Sequence, residues 1–478
     1  MVQIAVFGLW IVVAFNVAII LVPYLRGTGD LLNIRNFFLL GFTIYQVTSG
    51  IISLTDPNSF TTELTLGQKD AIAAQFLIWI ITFEVVFLAF YRWGFGVKKL
   101  AQWTPIIKGR TREPVLWTFA FTLLGVAALM RFSVNIPYVA VITTHVGTSI
   151  AAVAAGMGAW IWVKRPLNPA AAFVMFTVLI LAIAIGTFGI FGRRPIVAIS
   201  CCLVWGTYYA KWRGLPPTKV VVQAVLISII PVVLVAKFTA VRGQEIRESV
   251  SPLATLTRVA GGSTYKGMQD LLSGQECAAW SMHLMEMYPE SYEYRPLHTI
   301  RYYFELPIPR AIYPNKPNAL AEIAWRDAGV TGMPTGYTIG PGMLGHAGSE
   351  GGYPVLILYA VIFGLFLRYF DAVVMRAPTQ PFVVLPIGAS LGNLLGIPRG
   401  EVPNFAFEFT VGVVGAFVML IVVAYALKLV GFISAEDFDE SEEEFEYLED
   451  HHGHDVYDPQ YASYGQDYNQ ETNDQPAS

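Results

Sequence analysis

Charge is scarce in this 478-residue chain: Asp, Glu, Lys and Arg make up 14% of it, against 54% hydrophobic residues. A soluble domain carries roughly 25% charged residues, so this composition excludes one. With a mean hydropathy of +0.51, it indicates a polytopic membrane protein. Cysteine is nearly absent. Cys201, Cys202 and Cys277 cannot build a disulfide framework, and the adjacent pair in an apolar stretch reads as small core residues. The chain also lacks a Walker loop, zinc-ligand spacing, a Gly-x-Ser-x-Gly elbow and a dinucleotide fingerprint, which argues against soluble-type nucleotide or serine chemistry. From Ala435 to Ser478 there is no Lys or Arg, but there are 15 acids. Without that tail the body holds 31 basic against 20 acidic residues, a surplus of 11, so the net charge of -4 hides a basic membrane body. The tail has no aliphatic periodicity and reads as solvated and disordered; His451, His452 and His454 within it lack the geometry of a metal site.

What the chain has in quantity is apolar runs. A spanning helix needs roughly 20 mainly apolar residues, which predicts about eleven transmembrane helices: 4–25, 36–55, 71–91, 115–131, 138–163, 170–191, 195–210, 219–240, 352–374, 380–397 and 404–430. The seventh is short enough for a re-entrant or broken helix. Met1 to Leu25 has no basic leader and reads as a retained first helix. The layout is an all-α membrane protein: helices 1–8 in residues 1–240, a large polar interval over 241–351, helices 9–11 in 352–432, and the acidic tail over 433–478. Counting Lys and Arg in alternate loops gives sixteen on one side and five on the other. Positive charge stays in the cytoplasm, so the N-terminus and the large interval face outward and the C-terminus inward.

Within the fifth span, Gly147, Ala151, Ala155 and Ala159 form a small-residue stripe for close helix packing. Glu84, His145 and Lys237 are intramembrane ionisable groups, either functional or paired inside the bundle. Arg193, Arg194 and Arg399 sit in short turns on the side otherwise poor in cations. They suit a phosphate or diphosphate through bidentate guanidinium forks, or else snorkel to head groups. Glu401 follows Arg399 closely, as a partner or a base. In the large interval, Trp280 to Phe304 is rich in aromatics and Met, fitting an interfacial helix, a sugar-stacking surface or a small loop core. Pro307, Pro309, Pro314 and Pro317 stiffen the backbone around Arg310 and Lys316. His346 and Glu350 end a Gly-rich approach to the ninth span. Either suits a general base, His346 reading otherwise as a solvated loop histidine and Glu350 as a helix-dipole partner.

The segment Ile308-Pro309-Arg310 to Tyr313-Pro314-Asn315-Lys316-Pro317, the Gly-rich run into Gly352-Tyr353-Pro354-Val355 and the outer Arg193 and Arg399 resemble the bacterial Wzy-type polymerases of O-antigen and exopolysaccharide repeat units. That resemblance implies a GT-C-like glycosyltransferase of the bacterial inner membrane, working without metal or cofactor on polyprenyl-pyrophosphate-linked oligosaccharides. It implies membrane lipids and a chain-length regulator protein as partners, and no nucleic acid. On it, Arg193, Arg194, Arg310, Lys316 and Arg399 hold the diphosphate, and His346, Glu350 or Glu401 takes the proton of the attacking sugar hydroxyl. The rival readings are an O-antigen ligase-like transferase and a flippase for the same lipid-linked sugars. A transferase charging from a lipid monophosphate sugar would carry paired acids in its first outer loop, where Asp56, Glu63 and Asp70 are scattered. The topology is testable by cysteine labelling of residues 92–113: reagent added outside the cell leaves this loop unmodified, and labelling from outside reverses the orientation.

Overall fold

The structure, a computed structural model, describes residues 1–55, 69–106, 112–132, 140–187, 194–241, 261–272, 277–327 and 340–433. The acidic tail and Arg193 lie outside the described residues. All regular structure among the described residues is helical. Eight helices are long and apolar enough to cross a membrane: α1 (Val2–Leu25), α2 (Ile34–Thr55), α3 (Lys69–Trp93), α5 (Glu113–Phe132), α6 (Ala140–Lys164), α7 (Pro169–Thr187), α15 (Tyr353–Arg376) and α18 (Val402–Leu429). The short α4 (Val97–Trp103) follows α3.

The other three expected spans are helical as well. The seventh is α8 (Arg194–Ala210), 17 residues long, as short as its sequence suggests. The eighth is α9 (Pro217–Ala240), a helix of 24 residues. The tenth is broken at Ala389–Ser390 into α16 (Pro381–Gly388) and α17 (Leu391–Gly396). Pro386 within α16 has no N–H to continue the ladder, so a hydropathy window averages over a real interruption.

Helix α6 forms the centre of the bundle, packing on α5, α7, α8, α16 and α18. Ala151, Ala155 and Ala159 of its stripe are buried, but the closest approach is at Gly156. A Cβ there would stand 2.8 Å from Cys202 Sγ and from Leu385 Cδ2. Cys202 is a core residue, as its setting in the sequence suggests. Helices α3 and α15 meet along a second tight seam, where a Cβ on Gly364 would lie 2.8 Å from the Phe87 carbonyl oxygen.

Between α9 and α15 the chain forms short helices: α10 (Thr264–Leu272), α11 (Cys277–Met287), α12 (His298–Glu305), α13 (Leu320–Asp327) and α14 (Gly342–Glu350). Two of them, α14 and α11, converge with α2 on the turn before α18. Gly342 N–H donates to the Gly400 carbonyl at 3.2 Å, Cys277 Sγ to that of Arg399 at 3.1 Å, and Gln46 Nε2 to that of Pro398 at 2.6 Å. Gln46 lies in a π-helical turn, Thr43–Thr48, within α2. Gly342 has φ +64°, and a Cβ there would overlap Gln46 Nε2 at 2.1 Å. The Gly-rich run therefore serves backbone-to-backbone packing.

At the other end of the bundle, Asp371 of α15 caps α2. Its carboxylate accepts from the N–H groups of Ile34 (2.8 Å) and Arg35 (3.3 Å) and from the Tyr91 hydroxyl (2.6 Å). The packing predicts that Gly364→Val opens the α3–α15 seam at a cost of about 1–3 kcal/mol, read as a lower thermal midpoint in detergent. Gly125→Ala, with nothing within 4 Å of its Cβ position, leaves the midpoint unchanged.

Candidate functional site

His346 and Glu350 lie four residues apart on α14, on one face of the helix. All nine residues of α14 are buried, and Gly345 and Gly348 let it press against α11: a Cβ on Gly348 would lie 3.1 Å from Met285 Cγ. The imidazole is thereby carried into the protein instead of standing in solvent. Its Nδ1 is 2.6 Å from Thr299 Oγ1 and 3.3 Å from Glu350 Oε1. Its Nε2 is 3.7 Å from Glu401 Oε2 and 3.3 Å from the Val402 backbone N.

Each carboxylate also caps a helix. Glu350 accepts from the Thr299 N–H (3.1 Å) and hydroxyl at the start of α12, and its other oxygen takes the Tyr359 hydroxyl. Glu401 accepts from the Leu320 N–H (2.7 Å) and Ala321 N–H (3.0 Å) at the start of α13. The first-turn N–H groups of a helix have no partner within it, and a carboxylate satisfies both their hydrogen bonding and the positive helix end.

Burial alone would push the His346 pKa down, but the charge of Glu401 and the bonds to both carboxylates outweigh it and lift the group to about 9. Burial pushes Glu401 up; the His346 charge and the two backbone donors bring it below the ordinary carboxylate range. The Val402 contact would require an unprotonated Nε2, whereas the carboxylates favour a proton there. The Glu401 contact is the longer, 3.7 Å against 3.3 Å, and it is the charge of the two carboxylates that favours the imidazolium. The structure brings together the three residues proposed as bases, but seals them: His346 is 0%, Glu350 1% and Glu401 7% exposed.

The proposed phosphate ligands are dispersed. Arg193 lies outside the described residues. Arg194 pairs with Glu408 of α18 at 2.7 Å and lies over the Phe405 ring, with His145 Nε2 3.9 Å from the same Glu408 oxygen. Arg399 stands over the Tyr45 ring at 5.5 Å. Arg310 folds back on the Lys316 carbonyl (2.8 Å) and Asn318 Oδ1 (2.6 Å), while Lys316 Nζ binds the Leu306 and Ile308 carbonyls at 2.6 and 3.1 Å. The proline-rich segment thus uses its two cations to hold its own turns. Of the other intramembrane groups, Glu84 accepts from Asn16 Nδ2 at 2.6 Å, a paired interior carboxylate, and Lys237 is half-buried near the end of α9.

Beside the sealed cluster opens a cleft of about 540 Å³ lined by Arg295, His298, Arg301, Lys316 and Arg326, with Pro296, Pro317, Asn318 and Ile323. Of the five proposed cations only Lys316 reaches it. Arg295 is paired with Asp327 (2.9 Å) and Arg301 with Glu305 (2.8 Å); Arg326 has no partner among the described residues. His298 stands between cleft and cluster, next to Thr299, with its ring stacked on Tyr302. Its Nε2 is 3.0 Å from the Asn318 carbonyl, an acceptor only, so the proton sits on Nε2 and the Nδ1 lone pair is left without a partner among the described residues. Burial and the neighbouring His346 charge lower its pKa, against Glu350 and Glu401, and keep the ring neutral near pH 7. Of this set, His298 and Arg301 lie one turn apart on α12, a spacing present in the sequence, whereas Arg295 precedes the helix and carries no such signal.

The strut makes stability depend on pH in a definite direction. His346 is raised above its ordinary 6.5, so its contribution is complete below pH 6.5 and lost as pH rises through about 9. Glu401 acts oppositely, its contribution fading as pH falls through the acid range. His346→Gln is expected to cost on the order of 3–5 kcal/mol at pH 6 and to flatten the loss of thermal midpoint between pH 6.5 and 9; an undiminished slope in that variant assigns the titration elsewhere. Compared with family models, curated proteins and solved structures, the chain matches none.

Proposed function

We propose that this protein is a membrane glycosyltransferase that polymerises polyprenyl-diphosphate-linked oligosaccharide units at the outer face of the bacterial inner membrane. The observation that supports this reading is the cleft, in which Arg295, Arg301, Lys316 and Arg326 surround a neutral histidine with a free lone pair. In the proposed reaction a hydroxyl of one lipid-linked unit attacks the anomeric carbon of a second. The new C–O bond forms as the bond to the diphosphate breaks, and the electron pair leaves with the diphosphate. The cations stabilise that growing charge in the transition state. The hydroxyl proton passes to His298 Nδ1. The buried His346, Glu350 and Glu401 position α12 and α13, on which His298, Arg301 and Arg326 are mounted. Apolar spans around a polar cleft suit a substrate with a polyprenyl tail and a charged head.

A second reading has its own support. The π-helical turn in α2 and the break between α16 and α17 interrupt two spans that touch, since a Cβ on Gly41 would lie 2.5 Å from the Leu395 carbonyl oxygen. Interrupted spans are a feature of transporters, which fits a flippase for the same lipid-linked sugars.

A deletion strain separates the readings. A polymerase leaves single lipid-linked units outside the membrane, a flippase leaves them inside, and a ligase-like transferase leaves long chains on the carrier. Arg326→Ala and His298→Gln are each expected to lower polymer synthesis about 100-fold with normal amounts of folded protein. Full-length polymer in both variants withdraws the cleft assignment. Activity is expected to survive exhaustive chelation, and recovery of a chelated sample on adding a divalent ion would reinstate a metal.

A further inference from the structure

Arg368 lies fifteen residues along α15 from Tyr353, roughly 22 Å from the end that carries the cleft. It is 8% exposed, its Nε is buried without a hydrogen bond, and the guanidinium forms no ion pair with any described residue. Asp371, one turn further along, forms no salt bridge with it; its oxygens accept from the backbone N–H groups of Ile34 and Arg35 and from the Tyr91 hydroxyl. A second arginine stands close by. Arg35 and Arg368 each place the guanidinium carbon 5.4 Å from the centre of the Tyr91 ring. Arg35 spends Nε and Nη2 on Asn36 Oδ1 and keeps Nη1 free. Two cations thus share one aromatic ring, with the single nearby carboxylate already committed as a helix cap.

A buried cation without an ion pair is unfavourable, and a second cation on the same ring adds to the cost, so Arg368 is retained more readily where an anion joins it. The depth of the pair narrows the choice. Gly94 borders Arg368, its Cβ position 3.8 Å from the Arg368 Nε, and it lies between Trp93 and Phe95, which are 65% and 63% exposed. Exposed aromatics at a span end mark the head-group level of a bilayer. This end also carries the loops rich in Lys and Arg, which face the anionic inner leaflet. Phosphate oxygens match the guanidinium fork in geometry and charge.

We propose that Arg368 and Arg35 form a phosphate-binding site at the inner end of the bundle, separate from the outer cleft. Its ligand is a phosphate group, carried by a lipid head group or free in solution, held between the two guanidinium groups beside Tyr91. This inference does not depend on the transferase reading.

The test uses the full chain, stripped of lipid in a non-ionic detergent, and follows its thermal midpoint. Four additions are compared: phosphatidylglycerol, a diacylglycerol with the same chains, inorganic phosphate, and chloride at matched ionic strength. Wild type is expected to gain about 3 °C or more with phosphatidylglycerol over diacylglycerol. A gain with phosphatidylglycerol alone identifies a head group, and an equal gain with inorganic phosphate identifies free phosphate. Arg368→Met is expected to melt no lower than wild type without additions, since it removes an unpaired charge, and to show no gain with phosphate. Should that variant not fold, Arg35→Gln carries the same expectation of a weakened response. Wild type that responds to the phosphate compounds no more than to their controls overturns the proposal, as does an Arg368→Met variant that keeps the full response.

Discussion

The interaction on which the short helices between α9 and α15 depend is that of His346 with the carboxylates of Glu350 and Glu401. Three charges taken out of water are unfavourable unless every lone pair and proton is used. Here they are used, by the Thr299 hydroxyl, the Tyr359 hydroxyl and the backbone N–H groups of Thr299, Leu320 and Ala321. The cluster therefore joins five elements: α12, α13 and α14 from the polar interval, and α15 and α18 from the bundle. Arg301 and His298 belong to α12 and Arg326 to α13, so the position of the cleft is set by charges that do not themselves line it.

The opposite end follows the same physical logic. Asp371 reaches from α15 to cap α2, as Glu350 reaches from α14 to cap α12. In a bilayer the orphan N–H groups of a helix start cannot turn to water, and a carboxylate from a neighbouring helix both satisfies them and fixes where that helix begins. The two ends differ in their balance. Around His346 two acids face one histidine, whereas around the Tyr91 ring Arg35 and Arg368 stand near Asp371.

Much of the membrane body could be read from hydropathy, because eight apolar runs became helices of spanning length. The departure comes from a feature that window averages cannot see. Pro386 and the small residues Gly388, Ala389 and Ser390 fall in the tenth run, which is broken at Ala389–Ser390. Within the site, the His346–Glu350 pair was visible as an i,i+4 spacing, but its burial was not, since Thr299, Tyr359 and Glu401 come from remote positions. The prolines drew attention to Arg310 and Lys316, which bind the segment's own carbonyls. His298 and Arg301 stood at helical spacing without a local mark, and only the fold distinguishes a cation facing a cleft from one facing solvent.

The cap that Glu401 places on α13 joins residues 80 positions apart, and the acid is the later of the two in the chain. During synthesis, the start of α13 leaves the ribosome long before Glu401 does, so its first N–H groups remain hydrated until the final membrane segment arrives. An incomplete nascent chain can thus hold most of its spans while α13 still lacks the carboxylate that fixes its start.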